Sequence, residues 1–100
     1  MSIEDNLKIY KYYTDCKQII THYGIEQQKL QFIQELSELI QALTKNDPEN
    51  FAEELADVQV MIDQFVINDP ELDKKVQAIQ LEKVERQLNR IGEETCKTKL

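Results

Sequence analysis

Residues that turn a chain are scarce here, with two glycines and two prolines in 100 positions. Hairpins and sandwiches use such residues at every reversal, so an all-β fold is excluded. Tryptophan is absent, and the single histidine, His22, belongs to no Glu-x-x-His pair or Cys/His cluster. That disfavours zinc and the di-iron carboxylate bundles. No glycine-centred, aspartate-rich loop of the EF-hand kind is present. Cysteine is limited to Cys16 and Cys96, far apart and outside any CxxC. The two thiols can pair, but free thiols in an intracellular chain are the expectation. No apolar run approaches the roughly 20 residues of a membrane span. The opening Met1-Ser-Ile-Glu-Asp-Asn has neither a basic nor an apolar segment, so no secretory signal is expected. Positive charge is outnumbered, 12 Lys and Arg against 19 Asp and Glu, for a net charge of −7. This argues against a non-specific grip on a nucleic acid polymer or an anionic membrane. A cytoplasmic protein with neither partner is expected.

What the chain does have is helical periodicity. Asp47-Pro48 and Asp69-Pro70 each join a capping residue to a proline suited to the first helical position. Gly24 and Gly92 each follow a periodic stretch, as glycines past helix ends do. These signals predict one domain over 1–100 with four helices, at roughly 4–22, 25–45, 48–67 and 70–91, and a frayed tail over 93–100. The first helix carries Ile9, Tyr13, Cys16, Ile20 and Tyr23 along one stripe, and the second Leu30, Ile33, Leu36, Ile40 and Leu43. Helices of this length joined by short loops pack as an antiparallel bundle, so the expected fold is all-α. Tyr13 and Tyr23 read as core or subunit interface, and no tyrosine is placed in a site. Several helices show a second apolar stripe, such as Ala56, Val60 and Ile67 opposite Phe51, Leu55, Val58 and Ile62. A monomeric bundle buries one face per helix, so the surplus points to a partner, although scattered surface apolar residues are common without one.

Two acidic pairs at i, i+3 stand out: Glu35 with Glu38, and Glu54 with Asp57. Residues three apart lie on one side of a helix, within reach of a common point. At about 100° per residue, Glu54 falls between Met61 and Phe65, inside the apolar arc of its helix. Glu35 borders the apolar arc of the second helix. A carboxylate on a packing face is costly unless compensated, and four together repel. A hard divalent cation such as Mg²⁺, which takes oxygen ligands, resolves that conflict. A single ExxE or ExxD pattern is usually an ordinary surface feature; two pairs on adjacent helices are not so easily explained.

Glu35-x-x-Glu38, fifteen intervening residues, then Glu54-x-x-Asp57 resembles the signature of the all-α nucleoside triphosphate pyrophosphohydrolases, the MazG-like superfamily. The likeness runs from about Tyr23-Gly24 through Ile91. It is strongest in Glu35-Leu-Ser-Glu-Leu-Ile-Gln-Ala-Leu43 and Glu53-Glu-Leu-Ala-Asp-Val58. The resemblance implies a Mg²⁺-dependent enzyme, with Mn²⁺ able to substitute, that converts a nucleoside triphosphate to the monophosphate and pyrophosphate. It implies that Glu35, Glu38, Glu54 and Asp57 hold the metal, and that the chain assembles as a dimer or a tetramer of two dimers. Glu53 or one of the four metal-holding carboxylates would take the proton from water. The family's first motif often begins with two glutamates, whereas here the first position is Gln34, which carries no charge and cannot act as a base. That departure keeps open a nucleotide-binding sensor without turnover. A non-catalytic helical interaction and oligomerisation module, with the acids on a binding surface, is the alternative from another class.

The fourth helix adds an independent pattern. Leu72, Val76 and Ile79 begin a stripe that continues as Lys83, Arg86 and Arg90, while Leu81, Val84, Leu88 and Ile91 form another. Cations of this kind bind the oxygens of a polyphosphate that a metal does not take, which makes Lys83, Arg86 and Arg90 candidate substrate-binding residues. Lys83-x-x-Arg86 also looks like the basic pair that follows the acidic motifs in MazG-like proteins.

Overall fold

The computed structural model describes residues 1–98, with side chains described through Cys96. It is all-α, with no strand among the described residues. The elements are α1 (Ile3–Tyr23), α2 (Ile25–Thr44), α3 (Pro48–Asn68) and α4 (Pro70–Thr98). Their contacts divide the chain into two units, Met1–Asp69 and Pro70–Leu100.

In the first unit α1 and α3 begin where side chains supply missing partners of their first N–H groups. Ser2 and Asp5 form a capping box at α1, each side chain serving the other's backbone. Asp47 accepts from the N–H groups of Glu49 and Asn50 at α3, and Pro48 sits at the first turn, where no N–H is needed. Gly24 makes the corner between α1 and α2. Its φ of 86° lies in the region that favours glycine, its N–H donates to Ile20 O, and its carbonyl accepts from Gln28 N.

All three helices of this unit pack against one another. Tyr12 bonds Asp63 and Lys17 bonds Asn68, so α1 and α3 run in the same direction. Gln28 meets Gln64 at one end of α2, while Glu35 and Glu38 meet Glu54 and Asp57 further along, so α2 runs opposite to α3. Phe32 and Phe65 stack between them with centroids 5.7 Å apart. The buried apolar residues are Cys16, Ile20, Ala42, Val58 and Met61, accompanied by buried Gln28 and Gln64.

The face of α2 turned inward is not the stripe its sequence favours. Gln28 and Ala42 are buried, and Phe32, Glu35 and Leu39 are half-buried. Leu30, Ile33, Ile40 and Leu43 are each more than 60% exposed. The inward face carries Gln28, which pairs with Gln64 on α3, and small Ala42; the aliphatic stripe points away.

The second unit is α4, and it corrects the expected helix end. The helix passes through Gly92 to Thr98 instead of stopping near Ile91. Gly92 has no positive φ, Thr95 Oγ1 donates back to Ile91 O, and no proline or turn residue follows to break the ladder. A single glycine inside a helix costs only about 1 kcal/mol against alanine, too little to end it. Of the expected tail, 93–98 is thus helical, and 99–100 lies outside the described residues. Cys16 is a buried free thiol and Cys96 an exposed one. No helix is long and apolar enough to cross a membrane.

Candidate metal centre

Two helices build the acidic site. Glu35 and Glu38 project from successive turns of α2, and Glu54 and Asp57 from successive turns of the opposed α3. One carboxylate oxygen from each of the four lies within 4.8 Å of the others. Glu54 shares its helix face with buried Val58 and Met61, as the sequence periodicity places it. Glu35, Glu38 and Glu54 are half-buried, and Asp57 is exposed.

The site is incompletely satisfied by protein groups. Gln31 Nε2 donates to Glu35 Oε1 at 2.8 Å. Glu35 Oε2 and Glu54 Oε2 are buried with no hydrogen-bond partner. Burial raises the Glu35 carboxyl above its ordinary 4.5; the Gln31 bond works against that rise, and the charges of Glu38 and Asp57 add to it. Burial likewise raises Glu54, reinforced by Glu38, Asp57 and Glu35. Buried polar atoms are normally paired, so these two lone carboxylate oxygens make the cluster a candidate cation site. The donor set is all oxygen and all anionic, with no imidazole or thiolate, so it fits Mg²⁺ or Mn²⁺ better than zinc or copper.

The remaining sequence candidates lie elsewhere. Glu53 and Gln34 are exposed neighbours in the chain of Glu54 and Glu35, and neither joins the four-acid group. Lys83, Arg86 and Arg90 lie together on one side of α4, where with Gln87 they line a hollow of about 230 Å³. The first unit therefore collects the acids, and the second collects the cations. A larger hollow of about 780 Å³ runs along α1 and contains none of these groups.

Three polar partnerships escaped the sequence reading. Gln31 orients Glu35, and its position one turn before Glu35 was the available signal. Gln28 Nε2 donates to Gln64 Oε1 at 2.8 Å, both residues buried. Gln28 lies two turns before Glu35 and Gln64 two turns after Asp57, so each occupies the acid-bearing side of its helix. Tyr12 donates to Asp63 at 2.6 Å, and Gln59 donates to the other oxygen of Asp63. Burial and the neighbouring Asp63 hold the Tyr12 phenol protonated well above its ordinary range, so it serves as a fixed tie between α1 and α3.

No family model, curated protein or solved structure matches this chain.

Proposed function

We propose that this chain is a Mg²⁺-dependent nucleotide pyrophosphohydrolase, which splits a nucleoside triphosphate with water into the monophosphate and pyrophosphate. The observation that carries the reading is the four-carboxylate cluster with two buried oxygens lacking any protein partner. The resemblance of Glu35-x-x-Glu38 and Glu54-x-x-Asp57 to the MazG-like motifs supports the choice of reaction.

Glu35, Glu38, Glu54 and Asp57 hold the cation, and Gln31 fixes the Glu35 carboxylate for that task. The cation supplies charge neutralisation at the triphosphate. Lys83 and Arg86, with Arg90 beside them, bind phosphate oxygens and offset the charge that develops there. A carboxylate of the cluster, or Glu53, accepts the proton of the attacking water. The helices form an antiparallel bundle completed by self-association as a dimer or tetramer, in the cytoplasm. Its support is the small buried core, which leaves long apolar side chains exposed on α1, α2 and α4.

Gln34 favours one second reading, a sensor that binds the nucleotide and Mg²⁺ without turnover, because it replaces an ionisable group by a neutral amide beside the cluster. A panel of ribo- and deoxyribonucleoside triphosphates, assayed with and without Mg²⁺, separates the two. Turnover that is lost in Asp57→Asn supports the enzyme. Tight Mg²⁺-dependent nucleotide binding without product supports the sensor, and neither binding nor turnover refutes both.

A further inference from the structure

We infer that the outer face of α2 is a self-complementary docking surface for a second copy of this chain, with the two α2 helices antiparallel about a two-fold axis at Leu36 and Ser37. The inference rests on the self-association proposed above and names its surface; it does not depend on hydrolysis.

The face is apolar and open. Leu30, Ile33, Ile40 and Leu43 are 62, 63, 64 and 61% exposed, and Leu36 is 39% exposed. At about 100° per residue these positions, with Ser37, share an arc of roughly 140° on one side of the helix. Leu30 to Leu43 extends about 20 Å along the axis.

The order of residues is palindromic. Leu30 stands as far before the Leu36–Ser37 pair as Leu43 stands after it, and Ile33 as far before it as Ile40 after it. A two-fold interface brings a patch against itself, so that residue i meets j and j meets i. Antiparallel pairing centred here sets each leucine end against a leucine end and each isoleucine against an isoleucine. Small Ser37 at the centre lets the helices approach closely.

Charge selects the same partner. Two copies at −7 each repel, so a contact between them has to be made where neither carries charge. From Leu30 to Thr44 the charged residues are Glu35 and Glu38, and both belong to the cluster shared with α3. The outer face over those four turns is neutral in a chain that is 31% charged. The exposed α4 stripe of Leu81, Val84, Leu88 and Ile91 is less suited, because charged Glu85 borders it and antiparallel pairing would set unlike residues, Leu81 against Ile91 and Val84 against Leu88.

Sedimentation of the full chain at micromolar concentration tests the surface. Wild type is expected to be oligomeric, and Ile33→Glu/Ile40→Glu to show half the wild-type mass with unchanged helical circular dichroism. Ile33→Lys/Ile40→Glu in one chain should restore the wild-type mass, because each lysine then faces a glutamate of the partner. Monomeric wild type overturns self-association as a whole. Oligomeric wild type with an unaffected Ile33→Glu/Ile40→Glu variant overturns this surface alone and shifts the contact to α4. If the glutamate variant loses its helical signal, Ser37→Cys in a Cys96→Ser background decides: a disulfide-linked dimer on oxidation supports the pairing, and its absence refutes it.

Discussion

Replacing Glu38 by glutamine should move the stability of the protein in opposite directions with and without metal. Glu38 lies in the four-acid group, and its negative charge helps raise both Glu35 and Glu54. Without metal, Glu38→Gln removes that repulsion from both neighbours at nearly constant volume, so the apparent melting temperature should rise. With metal, the variant has one charged donor fewer among four. A loss of about a hundredfold in affinity corresponds to about 2.7 kcal/mol. Mass action makes the same amount available to wild type at Mg²⁺ concentrations near 100 times the dissociation constant. For a domain of this size, 1 kcal/mol moves the melting temperature by about 4–8 °C. Wild type should therefore gain on the order of 10–20 °C between EDTA and saturating Mg²⁺, while Glu38→Gln gains little at the same concentrations. Differential scanning fluorimetry over a Mg²⁺ series, with Ca²⁺ and Mn²⁺ in parallel, reads both effects. Equal Mg²⁺ shifts in the two proteins, or no shift in wild type, would refute the metal-centre argument.

The pH dependence follows from the same groups. Glu35 and Glu54 are raised in the folded chain, so the metal-free protein binds more protons folded than unfolded above the ordinary glutamate value of 4.5. Their stabilising protonation is fully present below that value and lost as pH rises through the raised ones, so melting in EDTA should fall over that window and flatten in Glu54→Gln; a pH-independent wild type contradicts this. Lys83→Ala/Arg86→Ala should weaken nucleotide binding by tenfold or more in calorimetry while leaving nucleotide-free Mg²⁺ binding intact, and unchanged nucleotide affinity would return the α4 cations to a solvated face. Asp47→Ala removes the acceptor for two N–H groups at the start of α3 and should cost about 1 kcal/mol in urea unfolding without altering Mg²⁺ affinity.

The helix starts at Pro48 and Pro70 and the Gly24 corner were legible in the sequence because proline, glycine and capping acids act within a few residues. The inward placement of Glu54 was legible too, since its period matches that of Val58 and Met61. The facing side of α2 was not. Periodicity identifies a stripe that avoids water, Leu30 to Leu43, but not the body that covers it, and in the packed unit Gln28, Glu35 and Ala42 face inward instead. Gly92 misled because its role depends on φ, which the neighbouring sequence does not fix. The cluster of four acids was foreseen from spacing. Its unpartnered oxygens and the Gln31 bond depend on side-chain positions that only the packed helices define.

The central claim is the site of bond cleavage, and phosphorus NMR of a nucleoside triphosphate panel incubated with the protein reads it directly. The account predicts a monophosphate and pyrophosphate in equal amounts, formed with Mg²⁺, absent with EDTA and absent in Glu38→Gln. Formation of a diphosphate and orthophosphate, or no Mg²⁺-dependent product from any triphosphate, would contradict it.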